Sequence, residues 1–378
     1  MSVIIGADIV PTSSNRELFS NGCSEELFGT KIVDLIKKSD FSIFNLEAPL
    51  TDITDGKIKK NGPSICSSEE SILAMKQLNI SLFTLANNHI MDFGEKGLLS
   101  TMNVLKRYGV EYTGVGLNVY EARKPFFFTT DSVKFGVYSC VEHEFSVASE
   151  KLSGANPYDP LVTFDDISDA KKECDFLIVL YHGGKEFYQY PSPMLQKRCR
   201  KMIEKGADLV VCQHSHCIGA YEQYDTGTIV YGQGNFLFDD GTDSPLWDEG
   251  LLLRITNDLR VEFIPIVRCD NKVRLAESKE KEKILDSFFK RSSQIQNMVF
   301  LKEQYETYAK NNIEDYLMHL KGTDCILIRC IYKLFKSYSR KNIFKRYRTD
   351  NRLFVKNVIE CEAHRELLIE GLNGIINE

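Results

Sequence analysis

Residues 41–47 read FSIFNLE, an apolar run that ends in polar side chains, and this pattern decides the fold class. Four other β-branched or aromatic runs end in the same way, and helix-like amphipathic stretches separate them. Such alternation predicts βα units. The other runs are residues 3–5 before Asp8, 81–85 before Asn87, Asn88 and His89, 176–180 before His182, and 209–212 before His214, Ser215 and His216.

The polar clusters follow the predicted strands, where ligand sites form in α/β sheets. Loops after the carboxyl ends of separate strands converge on one crevice, so we expect the five clusters to meet. The helices predicted between them cover residues 25–38, 69–78, 94–108 and 193–205. The last begins after Ser192, a helix cap, with Pro193 at its first position.

The chain of 378 residues, 43% of them apolar, is long enough to bury a large core. Residues 251–256 and 260–267 flank Asn257 and Asp258 as a predicted hairpin that ends the sheet region. We expect a catalytic domain over residues 1–270. Residues 271–378 are charged and helix-like, and we expect a separate helical C-terminal region there.

The net charge is −6, from 47 basic and 53 acidic residues, so no overall field draws the chain to nucleic acid. We therefore expect no nucleic-acid partner. Residues 1–8 lack the basic and apolar regions of a secretory signal, and no apolar run reaches the roughly 20 residues that span a bilayer. These features predict a cytoplasmic protein, with a peripheral place at the inner membrane face as an alternative.

Eight basic residues and no acidic ones lie between Arg329 and Arg348. A basic amphipathic helix of this kind can contact an anionic membrane or a polymer synthase. It can also pack on the core with a solvated basic face, which is the interpretation that we favour.

Eleven scattered cysteines form no C-x-x-C pair, which predicts reduced, mostly buried thiols. Cys212 and Cys217 flank the loop with His214 and His216 and could bind zinc. Cys212 lies at the end of an apolar run, which favours a buried strand residue instead.

The polar clusters contain two carboxylates, one amide and three imidazoles, namely Asp8, Glu47, Asn88, His182, His214 and His216. Each alone has an ordinary explanation, such as a turn-forming Asp or a hydrogen-bonded core histidine. Together they form a ligand set for two divalent ions of Mn, Fe or Zn, because oxygen and imidazole ligands suit these metals and one carboxylate can bridge two ions.

Seven short motifs occur in order along residues 4–238. They are NLEAPLT at 45–51, ANNH at 86–89 followed by Asp92 and Gly94, GVG at 114–116 with Glu121, Ala122 and Pro125, HGGKE at 182–186, GAD at 206–208, HSH at 214–216 and GNF at 234–236. In this order the motifs resemble the poly-gamma-glutamate/capsule biosynthesis protein CapA family.

The resemblance implies a calcineurin-like metallophosphoesterase core, an α/β fold with two sheets sandwiched between helices. It also implies a division of the ligands, in which Asp8 and His216 hold one metal, Asn88, His182 and His214 hold the other, and Glu47 bridges them. Residues 6–8, Gly-Ala-Asp, carry one residue more than the Gly-Asp of the family. The assignment of Asp8 as a metal ligand therefore assumes either one inserted residue or a shifted turn in this chain.

By the same resemblance, His89 is the general acid. Asp92 either orients His89 or caps the helix that begins near Gly94. Glu186 and Asn235 are expected to contact the substrate, and a turn-forming role for Asn235 is the alternative.

The predicted function is metal-dependent hydrolysis of a phosphoester or a related bond, with a phosphoester or an anionic polymer as substrate. Amide chemistry on poly-gamma-glutamate stays open, because a metal-activated water attacks carbon or phosphorus. The alternative is a non-enzymatic assembly or export component of a capsule polymer machinery, in which the metal pocket is structural. A serine hydrolase is disfavoured because the sequence has no G-x-S-x-G elbow.

Overall fold

The computed structural model describes residues 1–239, 244–320 and 349–360, together with positions 363, 364, 368 and 372. The chain divides into two compact units, Met1–Lys302 and Glu303–Glu378.

The strands are β1 (Val3–Val10), β2 (Phe41–Leu46), β3 (Leu82–Thr84), β4 (Glu111–Thr113), β5 (Val115–Gly116), β6 (Phe126–Thr130), β7 (Val133–Val141), β8 (Gly154–Ala155), β9 (Phe176–His182), β10 (Leu209–Gln213), β11 (Tyr221–Tyr224), β12 (Gly227–Val230), β13 (Asn235–Phe238), β14 (Glu249–Ile255), β15 (Val261–Cys269) and β16 (Lys272–Leu275). The α-helices are α1 (Arg16–Ser20), α2 (Ser24–Phe28), α3 (Thr30–Lys37), α4 (Ile72–Gln77), α5 (Gly94–Arg107), α6 (Val119–Ala122), α7 (Thr163–Lys172), α8 (Pro193–Glu204), α9 (Ser278–Gln294), α10 (Met298–Leu320) and α11 (Thr349–Glu360).

Two sheets face each other in the first unit. One sheet has eight strands in the order β16-β15-β14-β1-β2-β3-β4, with β13 also paired to β1, and the other has six in the order β11-β12-β10-β9-β7-β6. Their facing sides bury a common apolar layer, which includes Ile5 and Ile43 from the first sheet and Ile178 and Val211 from the second. Burial of one such side chain stabilises the fold by about 1.5–3 kcal/mol.

Helices cover the outer side of each sheet. Phe28 of α2 and Leu98 of α5 pack in one cluster with Phe44 of β2, while Met202 of α8 packs with Val179 of β9 in another. The protein therefore has the α/β fold that the sequence predicts, with two sheets sandwiched between helices.

The predicted helices are present, with two local differences. The side chain of Ser192 accepts a hydrogen bond from the Leu195 amide and Pro193 opens α8, as predicted. The helix predicted at 25–38 is divided into α2 and α3, because Gly29 takes a φ of 72° that ends the first helix. The helix predicted at 69–78 begins with a 3₁₀ turn over Glu69–Ser71 before α4.

The first unit extends beyond the predicted boundary at residue 270. β14 and β15 form the predicted antiparallel hairpin, but β16 then adds to the same sheet. Ile284 and Phe288 of α9 are buried in the layer between the sheets. The charged stretch after residue 270 therefore contains a helix whose apolar face belongs to the sandwich. The described residues of the second unit are helical, as expected for the C-terminal region.

Within the described ranges, no helix combines the length and the apolarity needed to cross a membrane. The basic stretch from Arg329 to Arg348 lies outside the described residues, so both of its interpretations stay predictions. The cysteines in the described part of the chain are free thiols, as predicted.

Candidate metal centre

The predicted polar clusters meet where the parallel strands of both sheets end. The six side chains are Asp8 near the end of β1, Glu47 after β2, Asn88 after β3, His182 at the end of β9, and His214 and His216 after β10. All six are buried. Residues far apart in the chain thus form one pocket, because each is carried to the same end of the sandwich by its strand.

A bulge in β1 sets the direction of Asp8. Ile5 pairs with Ile43 of β2 and Asp8 pairs with Asn45, so β1 contains one more residue than β2 between the two pairs. Such a bulge re-aims the side chain that follows it.

Three candidate ligand atoms face one another around Glu47. The Nε2 atom of His182 lies 3.2 Å from Oε1 of Glu47 and 3.0 Å from Oδ1 of Asn88. The Nδ1 atom of His214 lies 4.0 Å from the same Glu47 oxygen. Carboxylate, amide and imidazole groups therefore converge on one point of the pocket.

Asp8 and His216 form the other side of the pocket. Nδ1 of His216 lies 3.7 Å from Oδ2 of Asp8 and donates to Oδ1 of Asn235 at 2.8 Å. With its proton on Nδ1, the ring has its free lone pair on Nε2. The side-chain amide of Asn45 donates to Oδ1 of Asp8 at 2.7 Å and fixes the carboxylate.

Glu47 belongs to two groups of ligand atoms. Glu47 with His182 and His214 forms one group, and Glu47 with Asp8 and His216 forms the second, each with its ligand atoms within 4.8 Å of one another. A carboxylate that is common to two groups can bridge two ions. The half-buried Glu186 forms a third such group with His214 and His216.

Burial and neighbouring charges shift the acidity of these groups in different directions. Burial and the nearby Glu47 carboxylate raise the pKa of Asp8. Burial also works to raise the pKa of Glu47, but His216 and His182 hold that pKa well below its usual range. Burial lowers the pKa of His182 to about 4. For His214 burial acts downward, but contact with Glu47 raises its pKa to about 9.

The residues fit a bound cation, because some of their buried polar atoms have no hydrogen-bond partner. Among the described residues, both carboxylate oxygens of Glu47 and Nδ1 of His214 are buried without one. Leaving a buried polar group unpaired costs about 1–3 kcal/mol. Carboxylate oxygens combined with imidazole nitrogens suit Mn, Fe or Zn.

The loop after β10 adopts a strained backbone. His214 has a φ of 87° and His216 a φ of 51°, in the left-handed region that non-glycine residues rarely adopt. Each such residue costs on the order of 1–3 kcal/mol and is typical of functional sites. The strain aims both imidazoles into the pocket.

His89 lies beside the pocket with a carboxylate behind its ring. Nδ1 of His89 lies 2.7 Å from Oδ2 of Asp92. Asp92 forms no cap on α5, whose N-terminus has no side-chain cap. Of the two roles predicted for Asp92, the geometry favours orientation of His89.

A sequence model of the family described as bacterial capsule synthesis protein PGA_cap matches residues 3–240, a range that contains the whole pocket. The chain belongs to this family. The PGA biosynthesis protein CapA of Bacillus subtilis strain 168 is 29% identical over 210 residues, covering 55% of this chain and 55% of the relative. The capsule biosynthesis protein CapA of Bacillus anthracis is 28% identical over 214 residues, covering 54% and 52%.

This PGA_cap member thus spans about half the length of the curated relatives it matches. Among solved structures, it is similar to a novel phosphatase from Mycoplasma pneumoniae, with 16% identity and a TM-score of 0.44 over 71% of this chain and 94% of that chain.

The two residues predicted to contact substrate have different surroundings in this PGA_cap chain. Asn235 begins β13 and bonds the His216 ring, so it is a strand residue rather than a turn former. Glu186 lies at the pocket mouth, with Oε1 3.9 Å from Nε2 of His214. A contact of either residue with substrate stays a prediction.

The two cysteines near the histidine loop are buried rather than aimed at the pocket. Cys212 has its sulfur 3.6 Å from that of Cys199. In the described part of the chain, neither Cys212 nor Cys217 belongs to a group that could hold a metal. This agrees with the preference for buried thiols.

Several residues beside the pocket were missed by the sequence prediction. Asn45 belongs to the NLEAPLT motif, and a polar residue inside an apolar run is a signal for a buried contact. Lys60 lies in an irregular segment and gave no signal. Trp247 and Phe187 form an aromatic wall, with the Trp247 ring centroid 4.5 Å from that of His216 and 5.5 Å from that of Phe187.

Proposed function

We propose that this protein is a metal-dependent hydrolase of a phosphoester or a related bond. The observation that carries the proposal is the buried Glu47 carboxylate, whose two oxygens have no hydrogen-bond partner among the described residues and which belongs to two groups of candidate ligands. A carboxylate in this position is unfavourable without a cation. With one, it becomes the shared ligand of the site.

We take the division of the ligands between two ions from the family resemblance. Asp8 and His216 would hold one ion, Asn88, His182 and His214 would hold a second, and Glu47 would serve both. Two divalent ions bound there would lower the pKa of a water between them and neutralise negative charge in the transition state.

The remaining steps belong to the side chains of the protein. His89 is placed to give a proton to the leaving group from Nε2, because its Nδ1 atom faces Asp92. Asn45 holds Asp8, and Asn235 holds the His216 ring. Hydrogen bonds of this kind to a metal-binding side chain fix its orientation.

The substrate class rests on the names of the relatives. Both Bacillus relatives are named for capsule or PGA biosynthesis, which supports an anionic polymer or a phosphoester intermediate as the substrate. Amide hydrolysis of poly-gamma-glutamate is the second reaction that the same water could perform.

A non-enzymatic role in polymer assembly or export is the competing proposal. The burial of Asp8, Glu47 and His182 supports it, since structural metal sites are closed whereas catalytic sites keep an open position. The relatives' names are also compatible with an assembly role.

One experiment separates the two proposals. Metal content and turnover of bis(4-nitrophenyl) phosphate with added Mn²⁺ would be measured for the parent, for His182→Ala, and for His364→Ala as a control at an exposed histidine of the second unit. The hydrolase proposal expects turnover by the parent and the control only. Metal in the parent without turnover of this ester or of poly-gamma-glutamate favours the assembly role.

A further inference from the structure

A lysine lies buried beside the pair formed by His89 and Asp92. The Lys60 side chain is 3% exposed, and its ammonium pairs with Oδ1 of Asp92, whose side chain is 0% exposed. The same Nζ atom lies 3.2 Å from Nδ1 of His89. Because lysine and aspartate are almost never fully buried unless paired, each of these charges depends on the other.

The two oxygens of Asp92 have separate partners. Oδ1 takes Lys60, whereas Oδ2 accepts from the Ile65 amide at 2.7 Å and lies 2.7 Å from Nδ1 of His89. Nδ1 of His89 is closer to Asp92 than to Lys60. We therefore place a proton on Nδ1, which donates it in a hydrogen bond to the Asp92 carboxylate. Nε2 of His89 is then the atom that exchanges a proton.

Lys60 reaches Asp92 from a segment without helix or strand. We call residues 52–66 the strap, and most of its side chains are exposed. The Ile58 amide donates to the main-chain oxygen of Asp92 at 3.1 Å, so Ile58, Lys60 and Ile65 all bind one residue. Asp92 therefore joins the strap to His89.

We propose that Lys60 is a positioning residue that fixes the Asp92 carboxylate and, through it, both the His89 ring and the strap. It acts through Asp92 because its ammonium is buried against that carboxylate. The kinetic consequence rests on the proposed hydrolase function, whereas the structural consequence does not.

The kinetic test compares the parent with Lys60→Met, Lys60→Arg and Lys59→Met, where Lys59 is an exposed neighbour in the strap. Each is assayed on two phosphodiesters, one that releases 4-nitrophenolate and one that releases the poorer leaving group phenolate. A positioned general acid contributes about 10²–10⁴-fold, and a good leaving group needs it less. Lys60→Met should thus lower kcat about tenfold on the phenyl ester and less than about threefold on the nitrophenyl ester.

The controls make this result specific. Lys60→Arg keeps the charge and should retain most of the activity of the parent, while Lys59→Met should match the parent on both esters. Equal losses on the two esters in Lys60→Met, or no loss on either, would overturn the role of Lys60 in placing His89. If Lys60→Met does not fold, Lys60→Gln removes the charge, keeps a donor for Asp92 and leaves Asp92 itself unchanged, and it should show the same dependence on the leaving group.

A second measurement tests the role of Lys60 in the strap and does not require catalytic activity. Amide hydrogen exchange at Ile58 and Ile65 in the metal-free protein should become at least about tenfold faster in Lys60→Met and stay unchanged in Lys59→Met, because local opening follows the loss of contacts. Unchanged exchange in Lys60→Met overturns the role in the strap. Faster exchange without turnover of any ester by the parent would reject the hydrolase proposal and retain the positioning role.

Discussion

The Nε2 atom of His182 and Oε1 of Glu47 lie 3.2 Å apart, and both side chains are almost completely buried. Burial lowers the pKa of His182 to about 4, so its imidazole is neutral near pH 7. The pKa of Glu47 is held low by His216 and His182 against the effect of burial, so its carboxylate is charged. Neutral imidazole and ionised carboxylate are the forms that bind metal ions.

Mn²⁺ should stabilise the protein through this pair. A ligand at 100 times its Kd that binds only the native state adds about 2.7 kcal/mol, which corresponds to a rise in Tm of roughly 5 °C for a unit of this size. Differential scanning fluorimetry with and without a chelator measures the rise. His182→Ala should lose most of it and His364→Ala should keep it, whereas equal shifts in the two variants would place the metal elsewhere.

Asn45→Ala should destabilise the metal-free protein by about 1–3 kcal/mol, because Oδ1 of the buried Asp8 loses its donor. Urea unfolding in the presence of a chelator measures this change in free energy. Asn21→Ala, at an exposed helix end, should stay within about 0.5 kcal/mol of the parent. An unchanged free energy of unfolding in Asn45→Ala would show that the hydrogen bond from Asn45 does not hold Asp8.

Gly6→Ala should destabilise the bulge that aims Asp8. A Cβ at this position would lie 1.9 Å from the ring of Phe44, and overpacking of this kind costs about 1–3 kcal/mol. Adding Phe44→Leu removes the obstructing ring and should restore part of the loss, as judged by thermal unfolding. If the loss of stability in the double variant equals the sum of the losses in the two single variants, the contact with Phe44 does not cause the destabilisation by Gly6→Ala.

Thiol reactivity should separate the buried Cys217 from the exposed Cys269. Burial raises the pKa of Cys217 to about 12, while Cys269 is exposed. Because the thiolate is the reactive form, iodoacetamide at pH 8 should label Cys269 at least about tenfold faster than Cys217. Mass spectrometry of the native protein locates the label, and equal rates would mean that the loop after β10 opens readily.

The strands and their polar ends could be predicted because burial leaves a direct trace in the sequence. The apolar run before Glu47 becomes β2 and the one before His182 becomes β9. Parallel pairing aligns the polar ends of the strands within each sheet, and the packing of the two sheets face to face then brings the ends of β2 and β9 together. These features depend on the local pattern of apolar and polar residues and on how strands pair and pack in α/β proteins. The bulge in β1 before Asp8 cannot be predicted in this way, because it depends on the register between β1 and β2.

Other features could not be predicted because they depend on contacts between distant segments. The boundary expected at residue 270 ignored the apolar side of α9, since a charged helix with one buried face resembles a solvated one in sequence. Lys60 and Lys59 are adjacent and chemically identical, yet only Lys60 pairs with Asp92. No periodicity distinguishes them, because the strap has none.

The number of metal ions bound per chain tests the central claim most directly. Parent protein and Glu47→Gln would be saturated with Mn²⁺ and measured by elemental analysis after removal of free ions. The shared position of Glu47 predicts two ions in the parent and fewer than one tightly bound ion in Glu47→Gln, since both groups lose a charged ligand. Equal metal content in the two proteins, or a parent that binds no ion, would contradict it.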